Sequence, residues 1–123
     1  MRNILISVGG VEVEAVLNDA HTADLIYEAL PIEETYSTWG DEIYFGIPIE
    51  ASLENGQEVV EVGDLGYWPP GHAFCIFYGR TPASQGDEIR PASPVNVVGK
   101  VMGDPKVFKK VARSGDRIRL EKG

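Results

Sequence analysis

"DLGYWPPGHAFCIFYGRTPAS", residues 64 to 84, decides how the chain folds. Between residues 73 and 79, Phe74, Ile76 and Tyr78 alternate with Ala73, Cys75 and Phe77, and both sets are apolar. A strand that is apolar on both faces must be covered on both faces, because each face left in water would expose a row of hydrophobic side chains. One face is therefore expected to fill an interior, and the other to lie under a helix or a partner subunit. Upstream, Pro69-Pro70-Gly71-His72 reads as a tight connection between two strands. Pro70 suits the second position of a type II turn and Gly71 the third, where positive φ is required.

The same alternation extends outward in both directions. In "RNILISVGGVEVEAVL", Ile4, Ile6 and Val8 alternate with polar residues, Gly9-Gly10 supplies a turn, and Val11, Val13, Ala15 and Leu17 alternate again, which is a hairpin. "NDAHTADLIYEALP" spaces Ala23, Ile26, Tyr27 and Leu30 for a short helix, with Asn18, Asp19 or Thr22 as its N-cap and Pro31 as its stop. In "TWGDEIYFGIPIE", Ile43, Phe45 and Ile47 face one way and Glu42 and Tyr44 the other, and Pro48 places this strand near a sheet edge. "ENG" at 54 to 56 is a turn. "PVNVVGKVMG" is a strand with Val95, Val97 and Val101 on one face and Gly99 where two backbones pack closely. Asp104 followed by Pro105 starts a second short helix, with lysines late in it to suit the dipole, and "SGDRIRLEKG" returns as a last strand with Ile118 and Leu120 inward. The sum is a mainly β chain of about eight strands and two short helices, consistent with a closed antiparallel barrel whose ends the helices cap.

The composition sets limits on the function. One hundred and twenty-three residues, 43% hydrophobic and 24% charged, make one globular domain, residues 1–123. The apolar run Ile4-Leu5-Ile6 is too short for a signal peptide or a membrane span, so the expected protein is soluble and cytoplasmic, with no membrane partner. One cysteine forms no internal disulfide, in keeping with a reducing compartment. Nineteen acidic against eleven basic residues give a charge of −8, which repels a phosphate backbone and argues against a nucleic-acid partner.

Chemistry-bearing residues are few. Cys75 reads as a buried core thiol; a nucleophile would need His21 or His72 beside it and an electropositive setting. His72 reads as a solvated turn residue. His21 lies between Asp19 and Asp24, but with no second histidine or thiol close in sequence no metal site is expected. Asp41 and Glu42 are adjacent on a strand and point to opposite faces, so they do not act as an acid and base on one atom. Gly63, Gly66, Gly71 and Gly79 have no phosphate-binding spacing, and no cofactor is expected. That leaves Arg80, at the end of the aromatic strand and followed by "TPASQGDEIRPASP", which holds Arg90. An arginine beside aromatic and proline surface is a peptide or carboxylate clamp, or else an exposed partner for one of the acids.

Three segments, "TWGDEIYFGIP" at 38 to 48, "GDLGYWPPGHAFCIFYGRTPAS" at 63 to 84 and "SPVNVVGKV" at 93 to 101, resemble the small prokaryotic cyclophilin-like proteins, and the resemblance runs nearly end to end. It implies a cyclophilin-type barrel of eight strands with two capping helices. Cyclophilins in general are peptidyl-prolyl isomerases, which need an apolar pocket and an arginine donor to the imide nitrogen rather than a nucleophile. Arg80 is the candidate for that donor. The "FHR" and "QGG" signatures of true cyclophilins are absent, so none of their catalytic residues maps onto a position here. The expected function is binding of a peptide or small ligand in a groove near Trp39, Trp68, Phe77, Tyr78, Arg80 and Arg90. An atypical prolyl isomerase is the first alternative. The second is a structural subunit, in which the other apolar face of residues 73 to 79 or exposed aromatics form a homo-oligomeric or partner interface.

Overall fold

A computed structural model describes residues 2–123. The chain enters as β1 (Arg2–Val8) and returns as β2 (Val11–Leu17), paired from Arg2↔Leu17 to Val8↔Val11. Gly9 and Gly10 close this hairpin with φ of +58° and +82°, a two-residue turn of positive φ that matches the twist of its strands. Helix α1 (His21–Ala29) follows, then β3 (Ile32–Thr35), β4 (Ser37–Thr38) and β5 (Glu42–Gly46). Strand β6 (Asp64–Trp68) leads through a 3-10 turn at Pro69–Gly71 into β7 (Ala73–Phe77); β8 (Asn96–Val101), a 3-10 turn with α2 (Phe108–Val111), and β9 (Arg117–Lys122) complete the chain.

The nine strands form one antiparallel sheet in the order β3-β9-β1-β2-β8-β6-β7-β5-β4. Its two edge strands, β3 and β4, are consecutive in the chain with only Tyr36 between them. The barrel is thus nearly closed by the chain itself running from one edge to the other. This is one strand more than the sequence reading gives, because residues 32–38 carry too short and too polar a pattern to announce two strands. Tyr36, 1% exposed, holds the seam: its N–H donates to Asp116 O at 3.0 Å, its carbonyl accepts from Gly115 N at 2.7 Å, and its hydroxyl accepts from Arg113 N at 2.8 Å.

The interior is filled by inward residues of every long strand, among them Ile4, Ile6, Leu17, Ile43, Leu65, Phe74, Ile76, Ile118 and Leu120. Helix α1 contributes Ala23 and Ile26, and Phe108 from α2 packs its ring 5.8 Å from that of Tyr78. Asp104 accepts from Lys106 N at the start of the second helical segment, as its sequence indicates.

Four local expectations need correction. The diproline turn is 3-10, not type II, and the left-handed residue is His72 (φ +47°) rather than Gly71. The N-cap position of α1 is Ala20, and the free amides of His21 and Thr22 donate instead to the Glu54 carboxylate, 33 residues away in sequence for His21 and 32 for Thr22. On β8 the ladder slips beside Leu65 and Gly66, whose partners jump from Gly99 to Val97, so Val98 is an extra residue. That bulge puts Val98 and Val101 in the interior and Val95 and Val97 on the other face, where unbroken alternation would have kept Val97 and Val101 together. Finally, the second face of β7 lies under neither helix nor partner: Ala73, Cys75 and Phe77 pack with Val60, Ile89 and Val95, from the chain's own loops, as a second small core.

Candidate functional site

The second core has an open edge. Strand β5 turns Ile43 and Phe45 into the barrel, so Glu42 and Tyr44 stand on its outer face. Trp68 stands at the end of β6, Trp39 in the turn before β5, and Pro91, Ala92 and Val95 in the segment that descends into β8; together these seven residues line a groove of about 230 Å³.

Each wall is held from behind. The Trp68 indole N–H donates to Ser93 Oγ at 2.7 Å, and the ring lies so close over Gly71 that a methyl group there would come within 2.8 Å of Cζ3. Trp39 N donates to Glu42 O at 2.9 Å. Gly40, at φ +60°, presses this turn onto the segment after β7; a methyl group on it would lie 2.8 Å from Pro82 Cδ and 2.9 Å from Arg80 O. No side chain other than glycine fits there.

Glu42 is the one charged residue of the lining and is only 6% exposed. Loss of water disfavours its charge and pushes its pKa up to about 7, against a smaller opposing effect from a hydrogen bond with the Cys75 thiol. The thiol in turn is pushed well above its ordinary value, first by burial and then by the Glu42 charge. Its proton has two acceptors within reach, the carboxylate and Ala73 O at 3.9 Å. The carboxylate is the better one, since charge-assisted bonds are the stronger. Cys75 is therefore a core thiol and a donor to Glu42; a raised pKa is the reverse of what a nucleophile needs.

Of the residues expected near the groove, Trp39 and Trp68 line it. Phe77 is fully buried in the second core beneath, and Tyr78 lies in the barrel interior against Phe108. Arg80 is exposed, does not line the groove and takes part in no ion pair among the described residues. Arg90 is bound to Glu88 at 3.2 Å. Asp41 and Glu42 do point apart: Asp41 pairs with Lys109 at 3.4 Å, while Glu42 faces the groove. Their divergence excludes an acid-base pair and leaves Glu42 by itself at the groove. Its signal is a glutamate sharing a strand face with Tyr44, between inward Ile43 and Phe45. A wider polar hollow, lined by Asp19, Glu54, Glu61 and Asp64 among others, has Lys100 reaching Glu61 at 3.3 Å and Asp64 at 3.8 Å. Among the described residues no three histidine, cysteine or acidic side chains converge as metal ligands, and no helix is long and apolar enough to cross a membrane.

The cyclophilin-like family matches residues 2–121. Among solved structures, the chain is similar to the solution structure of a hypothetical protein from Archaeoglobus fulgidus, at 39% identity and a TM-score of 0.81 over 99% of this chain and 95% of that one. No curated protein matches the chain.

Proposed function

This chain belongs to the cyclophilin-like family, and from that premise we propose that it is a binding protein whose groove between Trp39, Tyr44 and Trp68 takes one side chain of a peptide, or a small ligand of similar size. The observation that carries this reading is a pair of half-exposed indoles set around a buried, desolvated carboxyl. Concave apolar surface with one convergent polar group and a perturbed pKa is the usual form of a small-ligand site. At about 230 Å³ the groove is smaller than the roughly 300–1,000 Å³ of pockets that enclose drug-sized molecules, so it holds one residue rather than a long segment.

Catalysis of X-Pro isomerisation is the narrower reading and has less support. The expected donor, Arg80, is not part of the lining, and the Trp68 N–H is committed to Ser93. The test is one titration with two readouts. Proline-containing and aromatic peptides are added to wild type, Trp39→Ala and Trp68→Ala, with binding followed by tryptophan fluorescence and cis/trans exchange by NMR. A binder shows saturation in wild type and roughly tenfold or greater loss in either variant, as for truncated aromatic anchors, with no change in exchange rate. Faster exchange would make it an isomerase; no saturation with any ligand would overturn the groove.

A further inference from the structure

The groove has an electrostatic gap. Eight ion pairs join the described residues, and they give cations to Asp24, Asp41, Glu33, Glu61, Asp64, Glu88 and Glu121. All of these carboxylates are more exposed or nearer to solvent than Glu42 and gain the least from pairing. Glu42, where water has been removed, has none. The group that faces it is the Cys75 thiol from β7, which is not cationic, while neighbouring Asp41 turns away to Lys109. An isolated carboxylate in a dry site is costly unless something positive is brought to it. Around it stand two indoles and a phenol, the side chains whose ring faces attract cations, tryptophan most of all.

We propose that the ligand of this groove is an organic cation, a protonated or quaternary ammonium group, held between the rings of Trp39, Tyr44 and Trp68 and the Glu42 carboxylate. The inference rests on the groove being a binding site, as above. A neutral ligand leaves the carboxylate without a counter-charge, and an anion meets both Glu42 and the field of a chain with net charge −8. A cation is favoured by all three: carboxylate, ring faces and overall field. The groove's small volume suits the head of a basic side chain or a small amine rather than a larger body.

Choline and 3,3-dimethyl-1-butanol are the discriminating probes, since they have the same shape and differ in replacing the charged nitrogen by carbon. Each is titrated into the full-length protein at pH 8, where Glu42 is mainly ionised, with calorimetry and tryptophan fluorescence as readouts. The expected result is saturable choline binding at least about tenfold tighter than the alcohol, weakening as salt is raised. Glu42→Gln is expected to lower that ratio at least severalfold, leaving only the preference due to the ring faces and the overall field, and an unchanged ratio would remove the carboxylate from the cation site. Equal or tighter binding of the alcohol overturns the cation and leaves the groove standing. Silence of both probes while apolar peptides still bind does the same, and silence of probes and peptides together removes the groove as well. Should Glu42→Gln not fold, the ratio of the two wild-type affinities decides alone.

Discussion

Glu42 is a residue that works against the fold it belongs to. Its folded pKa of about 7 exceeds the ordinary 4.5, so between these values the native state holds a proton that the unfolded chain has released. Stability from this group is therefore full below about pH 4.5, falls as pH rises toward 7, and stays low above it. A shift of this size corresponds to something on the order of 3 kcal/mol. Glu42→Gln, neutral at every pH, should unfold later than wild type at pH 8 by up to that amount and about equally at pH 4.5, as read by denaturant titration at the two pH values. A variant less stable than wild type at pH 8 would show that the carboxylate has a cationic partner in the native state. Gly71→Ala addresses the other wall: the added methyl lies 2.8 Å from the Trp68 ring, so the indole must shift. The expected signs are a changed Trp fluorescence maximum and weaker ligand binding, with little loss of global stability. In the sequence Trp68 was conspicuous, whereas Glu42 was hidden because its importance comes from what the loop after β7 places over it.

At the scale of the element, helix α1 depends on a residue outside it. Glu54 accepts from the Thr22 hydroxyl and from the amides of Thr22 and His21, and these bonds, the hydroxyl's foremost, hold its pKa below the usual carboxylate range. Asn96 on β8 fixes Glu54 in place: its Oδ1 accepts from Glu54 N at 2.7 Å and its Nδ2 donates to Thr22 Oγ1 at 3.1 Å and Ser52 O at 2.9 Å. Asn96→Ala leaves several of these groups unpaired in a buried site and should cost roughly 1–3 kcal/mol in thermal or denaturant unfolding. The α1 amides should lose hydrogen-exchange protection before those of β1 and β2. Helical spacing revealed where α1 lies, yet the cap was not legible, since a carboxylate more than thirty residues away leaves no local signature. Strand β8 shows the same limit: Gly99 was readable as a close approach, and a methyl there would lie 2.2 Å from Val16 O, but the bulge one residue earlier reversed the faces of the valines. Gly99→Ala should be among the most damaging single changes in the chain, a backbone clash that no rotamer relieves; soluble yield and melting temperature measure it.

For the whole molecule, the legible part was the barrel and the illegible part its roof. Alternation in β1, β2, β5 and β9 and the unbroken apolar run of β7 are properties of each strand alone, and they carried the fold class. The covering of the second face of β7 depends on residues 57–62 and 79–95, which have no periodicity to read and acquire order by packing Val60 and Ile89 onto Cys75 and Phe77. The same packing brings Pro91 and Ala92 beside Trp39 and Trp68, so the second core and the groove are one construction. The seam at Tyr36 is a global feature of the same kind. Tyr36→Phe leaves Arg113 N without its partner and should lower unfolding free energy by about 1 kcal/mol without altering the groove, separating barrel closure from binding in one comparison of stability and affinity.

With only two tryptophans in the chain, the indole N–H region of a nitrogen-15 proton spectrum reports on both walls of the groove at once. The most direct measurement is that spectrum during titration with choline and with short proline- and lysine-containing peptides. The Trp39 and Trp68 indole signals are expected to move together and saturate at a common ligand concentration. Saturating shifts elsewhere with both indoles unmoved, or no shifts with any of these ligands, would contradict the proposed site.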